Sequence, residues 1–328
     1  MRTIFYKNKP IITSTYTVAG PKESTGGLKD YIHLKLDTDM FGEKTFEKAE
    51  TKMLFHAIKG AIENSKKTVK DIDTLIAGDL LNQIISATFS ARSFDTGYLG
   101  IYNACATFTE SLAIGSTLID GGYMNNVVCG TSSHFSSAER QYRYPLELGS
   151  TRTPLSQWTV TGAGACVLSK YGDGPKIISS TIGKVVDYGV TDVNNMGAAM
   201  APAAVDTLLT HLYDTGLKQT DYDLIITGDL GAFGSRVFKD LAWEKGIDVE
   251  GQHVDCGEII YNICEDEYQG GSGAGCSAVV FGSYFYKLLK QKKVRKILLI
   301  ATGALLSAVS SAQSESIPGI AHAISMEI

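Results

Sequence analysis

Two stretches of the chain repeat apolar residues every three or four positions, and each is followed by a short apolar run. The apolar positions include Leu54, Ile58 and Ile62 in the first stretch, and Ala204, Leu208 and Leu212 in the second. This spacing predicts two amphipathic helices. The runs that follow them, TLIAG and LIITG, are short and rich in branched residues, which predicts one buried strand after each helix.

The two helix–strand units belong to a longer internal repeat. The segment DIDTLIAGDL from Asp71 recurs 150 residues later as DYDLIITGDL from Asp221. Further along, the segment from Cys105 is matched 171 residues later by the one from Cys276, and TGAGACVLS is matched by PGIAHAISM. The offset grows by about 21 residues (171 − 150), so the second copy has an insertion between Leu230 and Cys276.

A duplicated strand–helix chain of this kind predicts an α/β fold with two similar halves, 1–175 and 176–328. Alternating strands and helices imply largely parallel sheets covered by helices. The segments that begin near Cys105 and Cys276 carry almost no charge, which is typical of buried helices. We therefore expect two pseudo-symmetric halves that enclose a central pair of helices between their sheets, in α-β-α-β-α layers.

Composition, charge and cysteine spacing argue against several classes of function. The 328 residues carry a net charge of −5 without a basic block, so we expect no nucleic-acid partner. The apolar run of about 13 residues from Ile297 falls short of the roughly 20 that span a membrane, and the amino terminus does not resemble a signal peptide. The six cysteines form no CxxC pair, and His253 with Cys256 is at most half of a metal site, so we expect reduced thiols, no metal and no cofactor.

Cys105 is the first candidate for chemistry. In a parallel sheet, ligands bind where strands end and helices begin. Thr107 and Glu110 have the T-x-x-E spacing of a capping box, which predicts a helix start just after Cys105. The N–H groups of a helix start favour a thiolate, so Cys105 is a candidate nucleophile; the alternative is a small buried residue that only packs.

Other candidates fall at the same edge of the predicted sheets. Ser133 and His134 end the strand after the first central helix, and the second copy has no matching histidine, which favours a site role for His134 over a structural one. Asp79 and Asn82 follow the earlier strand. Because Asp229 repeats Asp79, we interpret this aspartate mainly as a structural cap and only secondarily as a ligand contact.

Three further residues complete the candidate site. Arg140 and Arg143 lie one helical turn apart and suit a carboxylate, although a solvated or intersubunit face is an equal alternative. Ser272 lies in the glycine-rich segment QGGSGAGC, which resembles a phosphate loop only weakly, since no GKS/T follows. His322 comes from the C-terminal SIPGIAH segment.

Together these motifs resemble a known family. Two repeated halves, buried central helices and a cysteine at the first helix resemble the thiolase fold. The segments AGPKE, AGDLLNQ, TSSH, AERQYRYP, TVTGAGA, MAPAAVDT, GGSGAGCSAVV, ATGALLS and SIPGIAH are similar to the stage V sporulation protein AD family, from Ala19 to His322. The resemblance covers nearly the whole chain.

The resemblance implies a soluble component of a complex that moves dipicolinic acid in spores. It implies that dipicolinate or its calcium chelate binds in the pocket beside Cys105, and that the partners are the membrane subunits of the stage V sporulation A complex. The implied location is the cytoplasmic face of the forespore or spore inner membrane. It also implies a homodimer formed through the strand at about residues 125–130.

The sequence departs from the catalytic members of the thiolase fold. Condensing enzymes place a histidine after the second-half strand, where this chain reads ITGDLGAFGS, and a histidine or asparagine where it has Ser272. His322 is the one residue left in a place suited to a base. We therefore expect a binding protein without catalysis. The alternatives are an acyltransferase or condensing enzyme that uses Cys105, and a structural subunit whose pocket is vestigial.

Overall fold

The chain folds into two similar five-stranded units of one twelve-stranded sheet, with one short strand added beside each unit and with helices between and outside the two units. The computed structural model describes residues 1–142, 152–261 and 268–328. The described strands are β1 Thr3–Phe5, β2 Ile11–Ala19, β3 Leu34–Lys35, β4 Thr74–Gly78, β5 Gly97–Gly100, β6 Asn126–Ser133, β7 Trp158–Thr159, β8 Gly162–Ser169, β9 Lys176–Thr181, β10 Leu224–Thr227, β11 His253–Asp255, β12 Gly271–Ser272, β13 Lys296–Ala304 and β14 Gly319–Glu327. The described helices are α1 Phe46–Asn64, α2 Ile85–Ala91, α3 Thr107–Asp120, α4 Phe135–Tyr142, α5 Met196–Thr215, α6 Gly231–Glu244, α7 Cys256–Ile260, α8 Ala274–Val280, α9 Tyr286–Lys290 and α10 Ala308–Ala312.

The two units, each called a sheet here, repeat one strand order. The first runs β5-β4-β6-β8-β2 and the second β11-β10-β13-β14-β9, with β3 added beside β2 and β1 beside β9. In each sheet the first three strands are parallel and the last two pair antiparallel to their neighbours. A single pair, Ile11 with Lys176, connects β2 to β9 and so joins the sheets. The internal repeat therefore predicted two similar halves correctly. The expectation of largely parallel sheets is wrong, because the last two strands of each sheet pair antiparallel and both sheets are mixed. The boundary between residues 175 and 176 stays a prediction.

Alternate residues of each strand face different layers, as the pleat of a strand requires. In β4, Leu75 packs on α1 while Ile76 faces the central layer. In β13, Leu298 packs with α5 while Leu299 faces the central layer. Three apolar cores result, one between the sheets and one under each outer helix layer, which matches the predicted α-β-α-β-α order.

Helices α3 and α8 form the central layer and contact each other. In α3, buried hydroxyls compensate their desolvation within the helix: Thr109 donates to the carbonyl of Ala106 at 3.0 Å and Ser111 to that of Phe108 at 2.6 Å. A π-helical turn, Phe281–Phe285, connects α8 to α9. In the second half, α6 has 14 residues against 7 in α2, and α7 is added, which accounts for much of the insertion.

The strand expected to form the contact between two copies of the chain is wrong. The strand expected to pair two copies, β6, lies between β4 and β8 and uses both of its edges. It has no edge left for a second copy. Strand β5 ends the first sheet within the described parts of the chain, and its Leu99 is 42% exposed.

Candidate functional site

A pocket opens at the end of the sheets where α3 begins. Its free volume, with the part open to solvent, is about 490 Å³. Its lining is Leu80, Tyr102, Ala104, Cys105, Ala138, Glu139, Tyr142, Thr159, Val193, Met196, Ser272, Gly273, Ala304 and Leu306. Both halves contribute, so the pocket lies where the pseudo-symmetric repeats meet. Of the predicted site residues, Cys105 and Ser272 are in this lining.

A strained turn presents Cys105 to the pocket. Ala104, just before it, has a φ of 49°, in the left-handed region that few non-glycine residues adopt. Thr107 holds the turn: its hydroxyl accepts the N–H of Asn103 at 2.9 Å and donates to the carbonyl of Ala104 at 2.6 Å. Strain of this kind concentrates at functional sites. The predicted capping box is wrong, because Thr107 is the first residue of α3 and the cap position, Ala106, has no side-chain bond.

Asp229 organises the floor of the pocket. The Ser272 hydroxyl and the Gly273 N–H donate to its Oδ2 at 2.9 and 3.1 Å, and the Thr302 hydroxyl donates to its Oδ1 at 2.7 Å. Cys105 also interacts with this carboxyl, and its Sγ lies 3.9 Å from the Ser272 Oγ. These donors favour the carboxylate form, although burial raises the pKa of Asp229. Asp229, the repeat counterpart of Asp79, thus lies directly beneath Cys105 and Ser272.

Burial, together with Asp229, favours the protonated form of Cys105. Burial and the neighbouring Asp229 carboxylate raise the pKa of the Cys105 thiol well above its usual value. A thiolate, not a thiol, is the nucleophile in cysteine catalysis. The start of α3 therefore does not produce the activated thiolate that the sequence suggested.

Ser272 is positioned by a small separate sheet. Strands β7 and β12 pair in parallel, with Ser272 opposite Thr159. The Thr159 hydroxyl donates to Glu139 of α4 at 3.0 Å. Loops from both halves and the helix α4 are thereby tied together around the pocket.

His322 lies behind the Cys105 turn and outside the pocket lining. Its Nδ1 accepts the N–H of Gly183 at 3.1 Å, so its Nε2 carries the proton. This Nε2 lies 2.7 Å from Nδ2 of the Asn103 side-chain amide. Because Nε2 carries the proton, the amide has to be turned so that its oxygen accepts that proton. Burial lowers the pKa of His322 to about 4. The imidazole is therefore neutral and committed at both nitrogens.

We expect the ring protons of His322 to show no titration by NMR between pH 8 and about pH 5, with a midpoint near 4. His322→Gln assigns the signal. Asn103→Asp is the matched test, because a carboxylate beside Nε2 favours the imidazolium and raises the midpoint. A wild-type midpoint above about pH 6, close to that of an unperturbed histidine, would contradict the buried, neutral assignment.

His134 and Ser133 lie outside the pocket lining, contrary to expectation. The Nδ1 of His134 accepts the N–H of Ser136 at 3.1 Å, and its Nε2–H donates to the carbonyl of Asp39 at 3.0 Å. Burial lowers the pKa of His134, so it does not supply the expected cation. Ser133 donates to the carbonyl of Val160 at 2.7 Å and accepts the N–H of Gly275 at 3.1 Å. Both side chains support the ends of β6 and α4.

The remaining predicted residues surround the pocket at a distance. Asp79 accepts the N–H groups of Leu81 and Ala87, both at 2.7 Å, which confirms its interpretation as a structural cap. Asn82 lines a second, outer hollow that adjoins the pocket. Arg140 is exposed, lies 3.6 Å from Glu47, and is not in the pocket lining. Arg143 lies outside the described residues.

Sequence reasoning missed four residues that line the pocket, namely Tyr102, Glu139, Tyr142 and Thr159, and Asp229, which contacts Cys105 from below. A signal existed for Asp229, because it repeats Asp79 and lies in the ITGDLGAFGS segment that was compared with condensing enzymes. Nothing in the local pattern distinguished the tyrosines, because Tyr102 and Tyr142 meet only in the folded chain.

Comparison with known proteins identifies the chain's relatives. The family described as stage V sporulation protein AD (SpoVAD) matches residues 1–327. Stage V sporulation protein AD of Bacillus subtilis (strain 168) is 42% identical over 326 residues, which is 99% of this chain and 96% of that protein.

Solved structures show the same fold at low identity. A variant of OleA from Xanthomonas campestris has a TM-score of 0.65 at 13% identity, and the match covers 99% of this chain and 100% of that one. The 3-oxoacyl-[acyl-carrier-protein] synthase III of Aquifex aeolicus VF5 has a TM-score of 0.57 at 15% identity, covering 97% and 100%. The predicted thiolase-like fold is confirmed.

In the described parts of the chain, none of the helices combines the length and apolarity needed to span a bilayer.

Proposed function

Because this chain belongs to the stage V sporulation protein AD family, we propose that it binds dipicolinate in the Cys105 pocket, as a component of the complex that moves dipicolinate in spores. The observation that carries the proposal is a pocket with largely apolar walls that ends at the Cys105 thiol, whose pKa is raised by burial and by the neighbouring Asp229. A protonated thiol at the base of the pocket suits a ligand that binds and dissociates without reacting.

The charge of the pocket favours the calcium chelate over the free dianion. Among the described lining residues there is no lysine, arginine or histidine to offset the desolvation of two carboxylates. The lining instead offers oxygen atoms from Tyr102, Glu139, Thr159 and Ser272. A chelate brings its own cation, and calcium prefers oxygen ligands. We therefore expect tighter binding with calcium present than with a calcium chelator, measured by titration calorimetry. Equal affinity in both conditions would contradict this preference.

We expect Cys105→Met to weaken dipicolinate binding at least tenfold, on the order of 1.4 kcal/mol, because the longer side chain fills the floor of the pocket. His134→Gln is the matched control: it replaces a buried polar residue outside the lining and should leave the affinity unchanged. Calorimetry on variants with wild-type thermal midpoints makes the comparison. Undiminished binding by Cys105→Met would remove the pocket assignment.

The alternative function is an acyltransferase that uses Cys105. The fold neighbours include enzymes, and the cysteine stands on a strained turn before a central helix. Incubation with acyl-CoA thioesters, followed by intact-mass analysis, distinguishes the acyltransferase from the dipicolinate-binding protein. A stable acyl adduct on Cys105 followed by product release would favour the enzyme. Intact complex assembly without any dipicolinate affinity would favour the vestigial structural subunit.

We also propose peripheral attachment to membrane subunits of the stage V sporulation A complex at the cytoplasmic face of the spore inner membrane, and a homodimer. Because β6 has no free edge, the dimer would use β5. A charge at Leu99, which is 42% exposed, would oppose that pairing. Light scattering of Leu99→Lys against the exposed control Tyr213→Lys tests it: the first should be monomeric and the second dimeric.

A further inference from the structure

The inner pocket and the outer hollow share one wall. The outer hollow has a free volume of about 670 Å³, open side included, and residues 81–84 form part of its lining. Four residues line both spaces: Leu80, Tyr102, Tyr142 and Leu306. A molecule in the outer hollow must pass these side chains to reach Cys105 by this route.

A chain of hydrogen bonds holds this wall closed. The hydroxyls of Tyr102 and Tyr142 lie 2.7 Å apart. The Tyr142 hydroxyl donates to the carbonyl of Leu80, so it accepts from Tyr102. The two tyrosines come from different elements, Tyr102 from the turn before α3 and Tyr142 from the last residue of α4. Their contact therefore joins two segments that lie 40 residues apart in the chain.

The surroundings set this bridge apart from ordinary packing. Tyr102 is 44% exposed, so its ring is not locked into a core. The loop below the hollow has two consecutive residues with positive φ, Gln83 at 56° and Ile84 at 45°. Ile84 is β-branched, for which this conformation is a marked outlier. Desolvation of the two hydroxyls raises the pKa of both tyrosines, so both remain hydrogen-bond donors well above neutral pH.

We propose that the Tyr102–Tyr142 hydroxyl pair is a gate that selects by size what passes from the outer hollow to Cys105. Narrow molecules pass when a single tyrosine ring turns, whereas bulky groups require both hydrogen bonds to break. The consequence for dipicolinate rests on the proposed function, whereas access to Cys105 does not.

The test compares two maleimides of different size on Cys105. N-methylmaleimide and N-(1-pyrenyl)maleimide react by the same addition, in which the sulfur bonds to an alkene carbon and the proton goes to the neighbouring carbon. The ratio of their rates therefore cancels the fraction of thiolate and reports size alone. Cys264, outside the described residues, is replaced by serine, and peptide mass assigns the label, since the described cysteines other than Cys105 are fully buried.

We expect Tyr102→Ala to raise the pyrenyl-to-methyl rate ratio at least tenfold, with a smaller rise for Tyr142→Phe, which removes both hydrogen bonds but keeps the ring. Tyr102→Phe, which removes one bond, should change the ratio least. Tyr188→Ala, an exposed tyrosine at a separate hollow, is the matched control and should leave the ratio unchanged.

An unchanged ratio in Tyr102→Ala at a wild-type thermal midpoint would overturn the gate, as would an equal rise in Tyr188→Ala. Stopped-flow binding of dipicolinate with calcium gives the second readout, in which Tyr102→Ala should speed association severalfold. If Tyr102→Ala raises the pyrenyl-to-methyl rate ratio but no variant binds dipicolinate, the result supports the gate and contradicts the proposed function.

Discussion

Asp229→Asn should raise the rate at which Cys105 reacts with iodoacetamide at about pH 7.5 by at least tenfold. In the wild type, burial and the Asp229 carboxylate both raise the pKa of the Cys105 thiol. Asparagine keeps the shape, removes the charge and adds an amide donor for a thiolate. Each unit by which the pKa falls multiplies the thiolate fraction about tenfold at a pH below it. Peptide mass spectrometry with a rate series from about pH 6 to about pH 10 measures both the rate and the shift of the profile.

Asp79→Asn is the matched control for this prediction, because Asp79 is the repeat counterpart of Asp229 and bonds only within its own loop. Its effect on the alkylation of Cys105 should be less than threefold. An unchanged rate in Asp229→Asn, with Ser272 and Thr302 left in place, would mean that the carboxyl does not control the thiol. The enzyme alternative would then lose its main objection.

In a condensing-enzyme fold, the residue beside the cysteine affects whether the cysteine can become a nucleophile. A histidine beside a cysteine serves as a base, because it takes up a proton and its cation favours the thiolate. Asp229 has the opposite electrostatic effect on Cys105, because its charge disfavours the thiolate. Replacing Asp229 alone should therefore alter the protonation of Cys105 without moving it from the strained turn after Ala104.

The sequence predicted the topology well because the topology follows from local patterns that occur twice. The helix–strand units around Leu54 and Leu208 have clear periodicity, and the 150- and 171-residue offsets align them. Equivalent strands then occupy equivalent places in both sheets. The edge available to a second copy was predicted wrongly, because whether β6 lies inside or at the edge depends on which strands pair on both sides.

The site residues were predicted less well, because a residue lines the pocket only if its side chain points into it, and the sequence does not show that direction. Cys105 and Ser272 were found from their positions at helix starts, and both line the pocket. His134 ends a strand at the correct edge, but the backbone around Ser136 and Asp39 takes up both ring nitrogens. Asp79 and Asp229 have the same local sequence, yet one caps a loop and the other faces Cys105, which depends on distant residues such as Thr302.

The glycines of the TGAGA and GGSGAGC segments explain how the central helix approaches the sheet. A Cβ on Gly164 of β8 would lie 2.5 Å from the backbone C and O atoms of Ala278 in α8. One on Gly275 would lie 2.5 Å from the carbonyl oxygen of Gly162. The glycines therefore permit close helix packing, the interpretation favoured over a phosphate loop. Their packing also fixes Ser272, which lies just before α8.

We expect Gly164→Ala to lower the free energy of unfolding by about 3 kcal/mol, because the added methyl group meets backbone atoms that move only with the whole helix. Urea unfolding followed by circular dichroism measures the change. Gly122→Asn is the control: its φ of 77° suits asparagine, no atom lies within 4 Å of the added Cβ, and its cost should stay below about 1 kcal/mol. Equal costs in the two variants would show that α8 adjusts freely. A displaced α8 also moves Ser272 away from Asp229, so the folded Gly164→Ala variant should bind dipicolinate more weakly than Gly122→Asn.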